Sequence, residues 1–178
     1  CIRGRLNIRL MDRLQSELAA GRDLALPQGL VDAYAGVLDS TLSDPSVDKA
    51  MIAQLLSLPT IGFLIERSEV ADVDSIHLVR EFLLNGLAAK FFSSFLDVYT
   101  NNTSDADYAA DAVSIARRSL KNLALSYLMR SKKDEAVTLA QQQFVLASNM
   151  TDQLSGLRCL VNSGSATAVD LKRDALAS

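Results

Sequence analysis

The stretch Ser75–Tyr99, SIHLVREFLLNGLAAKFFSSFLDVY, carries the strongest structural signal in the chain. Apolar residues recur in it every three or four positions, which is the spacing of one face of an α-helix. Two apolar rows run side by side, and they comprise Ile76, Val79, Leu83, Leu87 and Phe91 in the first and Leu84, Ala88, Phe92 and Phe95 in the second. A helix with so wide an apolar surface must be covered on more than one side. The pattern therefore predicts one long helix, which we expect to be the most buried element of the fold.

The segments before this stretch also have helical spacing. The first has leucines every four residues and ends at Gly21. Pro27 predicts the first turn of a second helix, since a proline there loses no hydrogen bond. Asp44 and Pro45 repeat this start signal, with the aspartate as a cap for free amides. A short helix over 61–67 is then expected before the long one.

The segments after the long stretch continue the pattern. Residues 101–105 form the clearest loop, and a helix over 106–129 follows, with acidic residues early and basic residues late, as the helix dipole favours. The run 131–134 resembles a capping box that starts another helix, and Asn149 can cap the next. A last helix is predicted over 166–177. The count is eight or nine helices, with no strand candidate of any weight.

These segments predict an all-α chain with a single domain over residues 1–178. The composition agrees, because 49% of the residues are hydrophobic and only 8 are glycine and 3 proline. Sandwiches and barrels need more turn residues and more β-branched strands. Helix–turn–helix pairs of roughly 35 to 45 residues would suit a solenoid, in which antiparallel pairs stack and cover one another.

Charge and cysteine usage exclude several classes of protein. The net charge of -3, from 18 basic and 21 acidic residues, gives no general attraction to nucleic acid or to an anionic membrane. No apolar stretch approaches the roughly 20 residues of a membrane span. Cys1 and Cys159 lie at opposite ends, so we expect no disulfide framework and a reducing, cytoplasmic compartment. The start has no signal peptide and no Met, so we expect the chain to be cut from something longer.

The catalytic residue types are scarce. His77 is the single histidine, whereas a zinc peptidase motif needs two histidines one helical turn apart and a glutamate base. A cysteine–histidine nucleophile pair is formally possible but has no local signature. We therefore interpret His77 as structural or exposed. The sequence predicts no catalytic, cofactor-binding or metal-binding residue in this chain.

A basic stripe on the first helix has two interpretations. Arg5, Arg9 and Arg13 share one face and could bind phosphate or carboxylate groups. A solvated face, or contact with the remainder of a longer protein, is the preferred interpretation, because no aromatic residues are interleaved and the total charge is acidic.

Two charged pairs and an aromatic cluster also have open interpretations. Arg80-Glu81 and Arg117-Arg118 could reach a cleft, although charges on helices usually form solvent-facing pairs of small value. Phe91, Phe92 and Phe95 could line a ligand pocket, but a buried helix produces the same spacing. We expect the phenylalanines to belong to the core.

Four stretches have a distinctive order and spacing. They are LSDPSVDKA at 42–50 running into LLSLP at 55–59, IHLVREFL at 76–83 with LAAKF at 87–91, ARRSLKNLALSYL at 116–128, and ASNMTDQL at 147–154. Together they resemble the C-terminal helical domain of the bacterial aminopeptidase N family, which are gluzincin zinc metallopeptidases. In that family the domain is a superhelix of paired helices, similar to armadillo or HEAT repeats, that covers the active site.

The resemblance implies a function that this chain would serve without catalysing it. The whole enzyme of the family removes N-terminal residues from peptides. It holds Zn²⁺ through a His-Glu-x-x-His helix and a further Glu, and it grips the substrate amine with a Gly-Ala-Met-Glu-Asn-type segment. None of these motifs has a match here, and the substrate-facing arginines of the domain would fall beyond Ser178. The implied partners are the catalytic domain of the same polypeptide and its peptide substrates.

Two alternatives to this scaffold role remain. A free-standing α-solenoid that binds proteins or peptides would have the same helix pairs and the same lack of chemistry. A nucleic-acid adaptor would depend only on the stripe formed by Arg5, Arg9 and Arg13.

Overall fold

The computed structural model describes residues 2–68, 71–104 and 108–163, with the side chains of the first helix described from Ile8 onward. Over these residues the chain forms nine α-helices and no strand. The helices are α1 (Ile2–Ala19), α2 (Gln28–Ser43), α3 (Lys49–Leu55), α4 (Ile61–Arg67), α5 (Val73–Lys90), α6 (Phe92–Asn102), α7 (Ala112–Arg130), α8 (Asp134–Leu146) and α9 (Met150–Ser163). The prediction of an all-α fold is confirmed. The helix predicted over 166–177 lies outside the described residues.

None of the helices in the described ranges is both long and apolar enough to cross a membrane.

The predicted long helix is two helices. Phe91 separates α5 from α6, with φ -110° and ψ 25°, which lies outside the α-helical region. At this break the Phe91 ring stacks on Tyr34 of α2, with ring centroids 6.4 Å apart. Tertiary packing has therefore overridden a continuous helical pattern. Asn101 and Asn102, predicted to begin a loop, are instead the last residues of α6.

One start signal was assigned to the wrong residue. Asp44 ends α2, and its carboxylate accepts hydrogen bonds from Ser46. The cap of α3 is Asp48, whose side chain accepts from the amides of Ala50 and Met51. An aspartate caps a helix when its carboxylate can accept from the free amides of the first turn. Asp48 lies close enough to those amides of α3, whereas Asp44 bonds to Ser46.

The helix predicted over 106–129 starts later than expected. Asp111 caps α7 by accepting from the amide of Ser114. Tyr108, which falls inside the predicted range, lies before the helix and is 56% exposed. The predicted capping box at 131–134 is also wrong, because the Ser131 hydroxyl donates to the Leu128 carbonyl at 2.6 Å and so closes α7.

The core has two parts that meet along α5. The smaller part lies between α1, α4 and the first half of α5, and the larger part joins the remaining helices. Ile76, Val79 and Leu87 are completely buried, but Leu120 and Leu125 of α7 are equally buried, so α5 shares the central position. Phe95 is buried, and Phe91 and Phe92 are half-buried against the larger part, which confirms the core interpretation of the aromatic cluster.

A buried tyrosine pair fixes the middle of the larger core. The hydroxyls of Tyr34 and Tyr127 both donate to the Leu56 carbonyl at 2.8 Å, and they lie 3.0 Å from each other. The Tyr127 ring also stacks on Phe95, with centroids 4.3 Å apart. Leu56 ends α3, so its free carbonyl receives partners from α2 and α7.

Candidate functional site

His77 and Cys159, the residues considered for catalysis, do not belong to a metal site in the described part of the chain. His77 is exposed on α5. Cys159 is half-buried on α9, and burial raises the pKa of its thiol to about 11, which disfavours the reactive thiolate. Within the ranges that the structure describes, no three His, Cys, Asp or Glu side chains gather as metal ligands.

The basic stripe faces solvent where it is described. Arg9 and Arg13 are exposed on α1, and Arg13 Nε donates to the Glu17 carboxylate at 2.9 Å. Such exposed pairs one turn apart stabilise a helix only slightly. The side chain of Arg5 lies outside the described residues.

The pair Arg80-Glu81 has a structural position between helices. Arg80 Nε donates to the Pro59 carbonyl at 2.8 Å, which ties α5 to the segment before α4. The Glu81 carboxylate accepts from Arg130 at the end of α7. These half-buried bonds join α5 to the segment before α4 and to the end of α7.

The other pair, Arg117-Arg118, reaches a cavity of about 380 Å³. The cavity lies where α6 ends, α7 begins and α8 meets α9. Its lining comprises Tyr99, Thr100 and Asn102–Ser104 from α6 and beyond, Tyr108 and Ala109, Ser114, Arg117, Arg118 and Lys121 from α7, Leu139, Gln142, Gln143 and Leu146 from α8, and Ala147–Asn149 and Asp152. A concave site with a few convergent polar groups is the usual form of a small-molecule site.

A buried ion pair forms one wall of the cavity. Lys121 Nζ lies 2.5 Å from Asp152 Oδ2, and both residues are more than nine-tenths buried. Asn122 donates to Asp152 Oδ1 at 2.8 Å and Asn149 to Asp152 Oδ2 at 3.2 Å. Burial raises the pKa of Asp152, but the hydrogen bonds from Lys121, Asn122 and Asn149 outweigh it and hold the pKa below its usual range.

The same network joins three helices. Gln143 Nε2 of α8 donates to Asn122 Oδ1 of α7 at 2.8 Å and to the Asp152 carbonyl of α9 at 2.9 Å. Asn149 Oδ1 accepts from the Asp152 amide at 2.9 Å, which confirms the predicted cap. Helices α8 and α9 pack closely at Gly156. A Cβ at that position would lie only 2.9 Å from the Ala140 carbonyl oxygen.

Two residues at the cavity have a buried amide oxygen with no hydrogen-bond partner among the described residues. The two atoms are Asn102 Oδ1 and Gln143 Oε1. Asn102 Nδ2 donates to the Val98 carbonyl at 2.7 Å, and Gln143 Nε2 has the two acceptors given above. The groups that accept from the two amide nitrogens therefore fix the orientation of both amides.

The rim of the cavity is positively charged. Arg117 donates to the Thr103 carbonyl at 3.5 Å, and Arg118 donates to the Ala109 carbonyl at 2.8 Å with its guanidinium 4.9 Å from the Tyr108 ring centroid. In the described part of the chain neither arginine forms a salt bridge. Burial, and then the charge of Arg117, lower the pKa of Lys49 nearby.

Sequence reasoning missed this site apart from the arginine pair. A signal for it was present, since Lys121 shares a helical face with Leu125 and Leu128 and must be buried if they are. A buried lysine almost always has an acidic partner. Its partner Asp152 is 31 residues away, so the spacing along the sequence could not identify it.

The comparisons with known proteins agree on one kind of domain. A profile of the family described as a domain of unknown function (DUF3458_C) with ARM repeats matches residues 5–177. Aminopeptidase N of Escherichia coli (strain K12) is 33% identical over 141 residues, which cover 79% of this chain and 16% of that protein. Aminopeptidase N of Caulobacter vibrioides is 26% identical over 162 residues, 87% of this chain and 19% of that protein. The chain thus spans less than a fifth of these relatives.

A solved structure has the same fold. The crystal structure of Legionella pneumophila aminopeptidase A in complex with aspartic acid superimposes with a TM-score of 0.73 and 24% sequence identity. The superposition covers 97% of this chain and 21% of that one.

Proposed function

The chain belongs to the DUF3458_C family of ARM repeats, and we propose that it serves as a non-catalytic C-terminal scaffold domain of a zinc aminopeptidase, where it covers the active site. The resemblance to aminopeptidase N that the four sequence stretches indicated is confirmed by the matches to two aminopeptidases N. The observation that carries the proposal is the extent of these matches: they cover 79% and 87% of this chain but only 16% and 19% of the two relatives. The remainder of such a protein is where the peptidase chemistry would lie.

The packing supports a structural role in a larger array. Met150, Leu154 and Val161 share one face of α9 and are 66%, 50% and 44% exposed. Each unit of a repeat array covers the apolar face of its neighbour. We therefore propose that a further helix of the parent protein packs on this face.

The polar network gives the scaffold a rigid interior. The stretches 116–128 and 147–154, which carried much of the resemblance, contact each other through the bonds from Lys121 and Asn122 to Asp152. A buried ion pair resists displacement of the helices it joins, because separating them would leave a charge unpaired in the interior. A wall over an active site needs this kind of fixed geometry.

The residues of this chain do not fit a catalytic zinc site. Such a site takes three protein ligands, of which imidazole usually supplies at least one and often two. His77 is the only histidine, and no metal-binding group of three occurs in the residues the structure describes. In the proposed parent enzyme zinc is held by another domain, and the enzyme acts on the N-termini of peptides in the cytoplasm.

The proposal is tested in the protein encoded by the reading frame that contains this chain. Variants that lack the segment equivalent to 5–177 are compared with the intact protein for zinc content and for hydrolysis of alanine p-nitroanilide and of an alanine-initiated decapeptide. A covering domain predicts that the deletion leaves zinc in place and changes the ratio of decapeptide to anilide turnover. An unchanged ratio would contradict the covering role. A reading frame without a His-Glu-x-x-His motif would favour the free-standing α-solenoid.

A further inference from the structure

One side of α9 carries an apolar seam that the described helices leave open. The seam comprises Met150, Leu154, Leu157 and Val161; Leu157 is half-buried, and the other three are 66%, 50% and 44% exposed. We propose that residues 166–177 of the same chain cover this seam as a helix antiparallel to α9. This inference rests on the proposed repeat array, in which a further helix packs on α9, and it identifies that helix.

The spacing of the seam indicates that a single helix lies along it. Its four members follow one another at intervals of four, three and four residues. Alternating intervals of three and four residues keep a line of contact between two helices whose axes cross at about 20°. The opposite side of α9 is already buried, at Asp152, Gly156 and Leu160. The seam is therefore a second contact face of α9, and one more helix is needed to cover it.

The sequence directly after α9 supplies a helix within reach. Helix α9 ends at Ser163, and Gly164-Ser165 follow before the helix predicted over 166–177. A glycine just past the last turn is the commonest stop signal of a helix. Helices joined by so short a connection are antiparallel neighbours. Twelve helical residues span about 18 Å, whereas the seam from Val161 back to Leu154 is only about 10 Å long.

The register of this pair places apolar residues opposite the seam. With the turn centred at 164–165, residues at equal distances from the turn face each other. Val161 then lies opposite position 168, an alanine, and its neighbour Val169. Leu154 lies opposite position 175, also an alanine, and its neighbour Leu176. Each apolar side chain of the seam in this region therefore meets an apolar pair.

The charged residues of the segment are compatible with the same register. Asp170, Arg173 and Asp174 share the side of the predicted helix that points away from the seam. Lys172 comes opposite Leu157, where its methylene stem covers the leucine while its ammonium group stays in water.

A second copy of the chain is the competing occupant of the seam, and the attached segment is favoured over it by concentration. A connection of two residues gives the segment an effective concentration in the millimolar range, far above the concentration of a dilute protein solution. The seam is therefore covered within one molecule before two molecules associate.

The test is methyl NMR of the 178-residue chain with ¹³C-labelled leucine and valine methyl groups. We expect a nuclear Overhauser cross-peak between Val161 and Val169. A second cross-peak is expected between Leu154 and Leu176. Leu78 is the matched control, since it is 55% exposed on α5, and it should give no cross-peak to the segment. Substitution of each residue by alanine assigns its signals.

A charge placed in the seam should release the segment. Leu154→Asp is expected to remove the cross-peak between Val161 and Val169 and to speed amide hydrogen exchange at Leu176 by at least about tenfold, because the segment loses its apolar contact. Leu78→Asp makes the same change at a similarly exposed site and should leave that exchange rate unchanged. If Leu154→Asp fails to fold by circular dichroism, the cross-peaks of the unaltered chain still decide.

Two results would overturn the inference. One is an absence of cross-peaks between α9 and residues 166–177 in the unaltered chain. The other is cross-peaks that arise only between differently labelled molecules in a mixed sample, which would assign the seam to a second copy. Either result contradicts the identity of the covering helix alone, whereas the covering role is tested separately by the ratio of decapeptide to anilide turnover.

Discussion

Replacing Asp152 with alanine should destabilise the chain more than any other single change in the polar network. The Asp152 carboxylate accepts from Lys121, Asn122 and Asn149, and both members of the ion pair are more than nine-tenths buried. Removing one partner of a buried pair leaves an uncompensated charge and costs about 3–5 kcal/mol. We therefore expect Asp152→Ala to lower the free energy of unfolding by about this amount.

The assay is urea unfolding of the 178-residue chain at pH 7, followed by circular dichroism at 222 nm. Asp12→Ala is the control, since Asp12 is exposed on α1, and it should change the free energy of unfolding by less than about 0.5 kcal/mol. The double variant Asp152→Leu, Lys121→Met removes both charges and should be more stable than Asp152→Ala alone. A loss below about 1 kcal/mol for Asp152→Ala, or a double variant that is less stable than the single one, would refute this reasoning.

The ion pair also sets a pH dependence. Because the pKa of Asp152 is lower in the folded state than in the unfolded chain, its contribution to stability is fully present above the unfolded-state value of about 3.9. That contribution is lost as the pH falls from there through the lower folded-state pKa. Urea midpoints of the wild type and of Asp152→Ala should converge over this acidic range, and parallel pH profiles would contradict the assignment.

Three further outcomes are expected. Gly156→Ala should cost about 1–3 kcal/mol, because its Cβ would lie 2.9 Å from backbone atoms of α8, whereas Gly36→Ala meets no atom within 4 Å; equal urea midpoints would contradict this. Tyr127→Phe removes one buried hydroxyl donor and should cost about 0.5–1.5 kcal/mol in the same assay, and no loss would contradict its hydrogen bond. In a Cys1→Ser background, Cys159 should react with iodoacetamide at pH 8 about 100-fold more slowly than a free thiol, since its pKa is raised to about 11; a similar rate would show an accessible thiolate.

Local signals in the sequence were sufficient where a single residue or a short pattern determines the structure. The helix predicted over 61–67 has the same bounds as α4, and Gly21, where the first helix was predicted to end, has a φ of 66° that only glycine adopts at little cost. Asn149 was expected to cap α9 and does so. In each case the interaction spans a few residues, so the sequence contains all of its partners.

Interactions between distant segments could not be predicted in the same way. At the break between α5 and α6, Phe91 stacks on Tyr34 of another helix. Asp48 caps α3 in place of Asp44 because α3 begins only at Lys49. The ion pair in the cavity wall joins Lys121 and Asp152, which the fold brings together from positions 31 residues apart. A buried lysine predicts that a partner exists but does not say which residue it is.

The most direct test of the scaffold role compares two purified proteins, the 178-residue chain and the longer polypeptide encoded by its reading frame. Zinc content is measured by elemental analysis and aminopeptidase activity by release of p-nitroaniline from the alanine anilide. We predict one equivalent of zinc and turnover in the longer polypeptide, and neither in the 178-residue chain, because His77 is its only imidazole. One equivalent of zinc in the chain itself, with turnover that follows the protein through a column, would contradict the account.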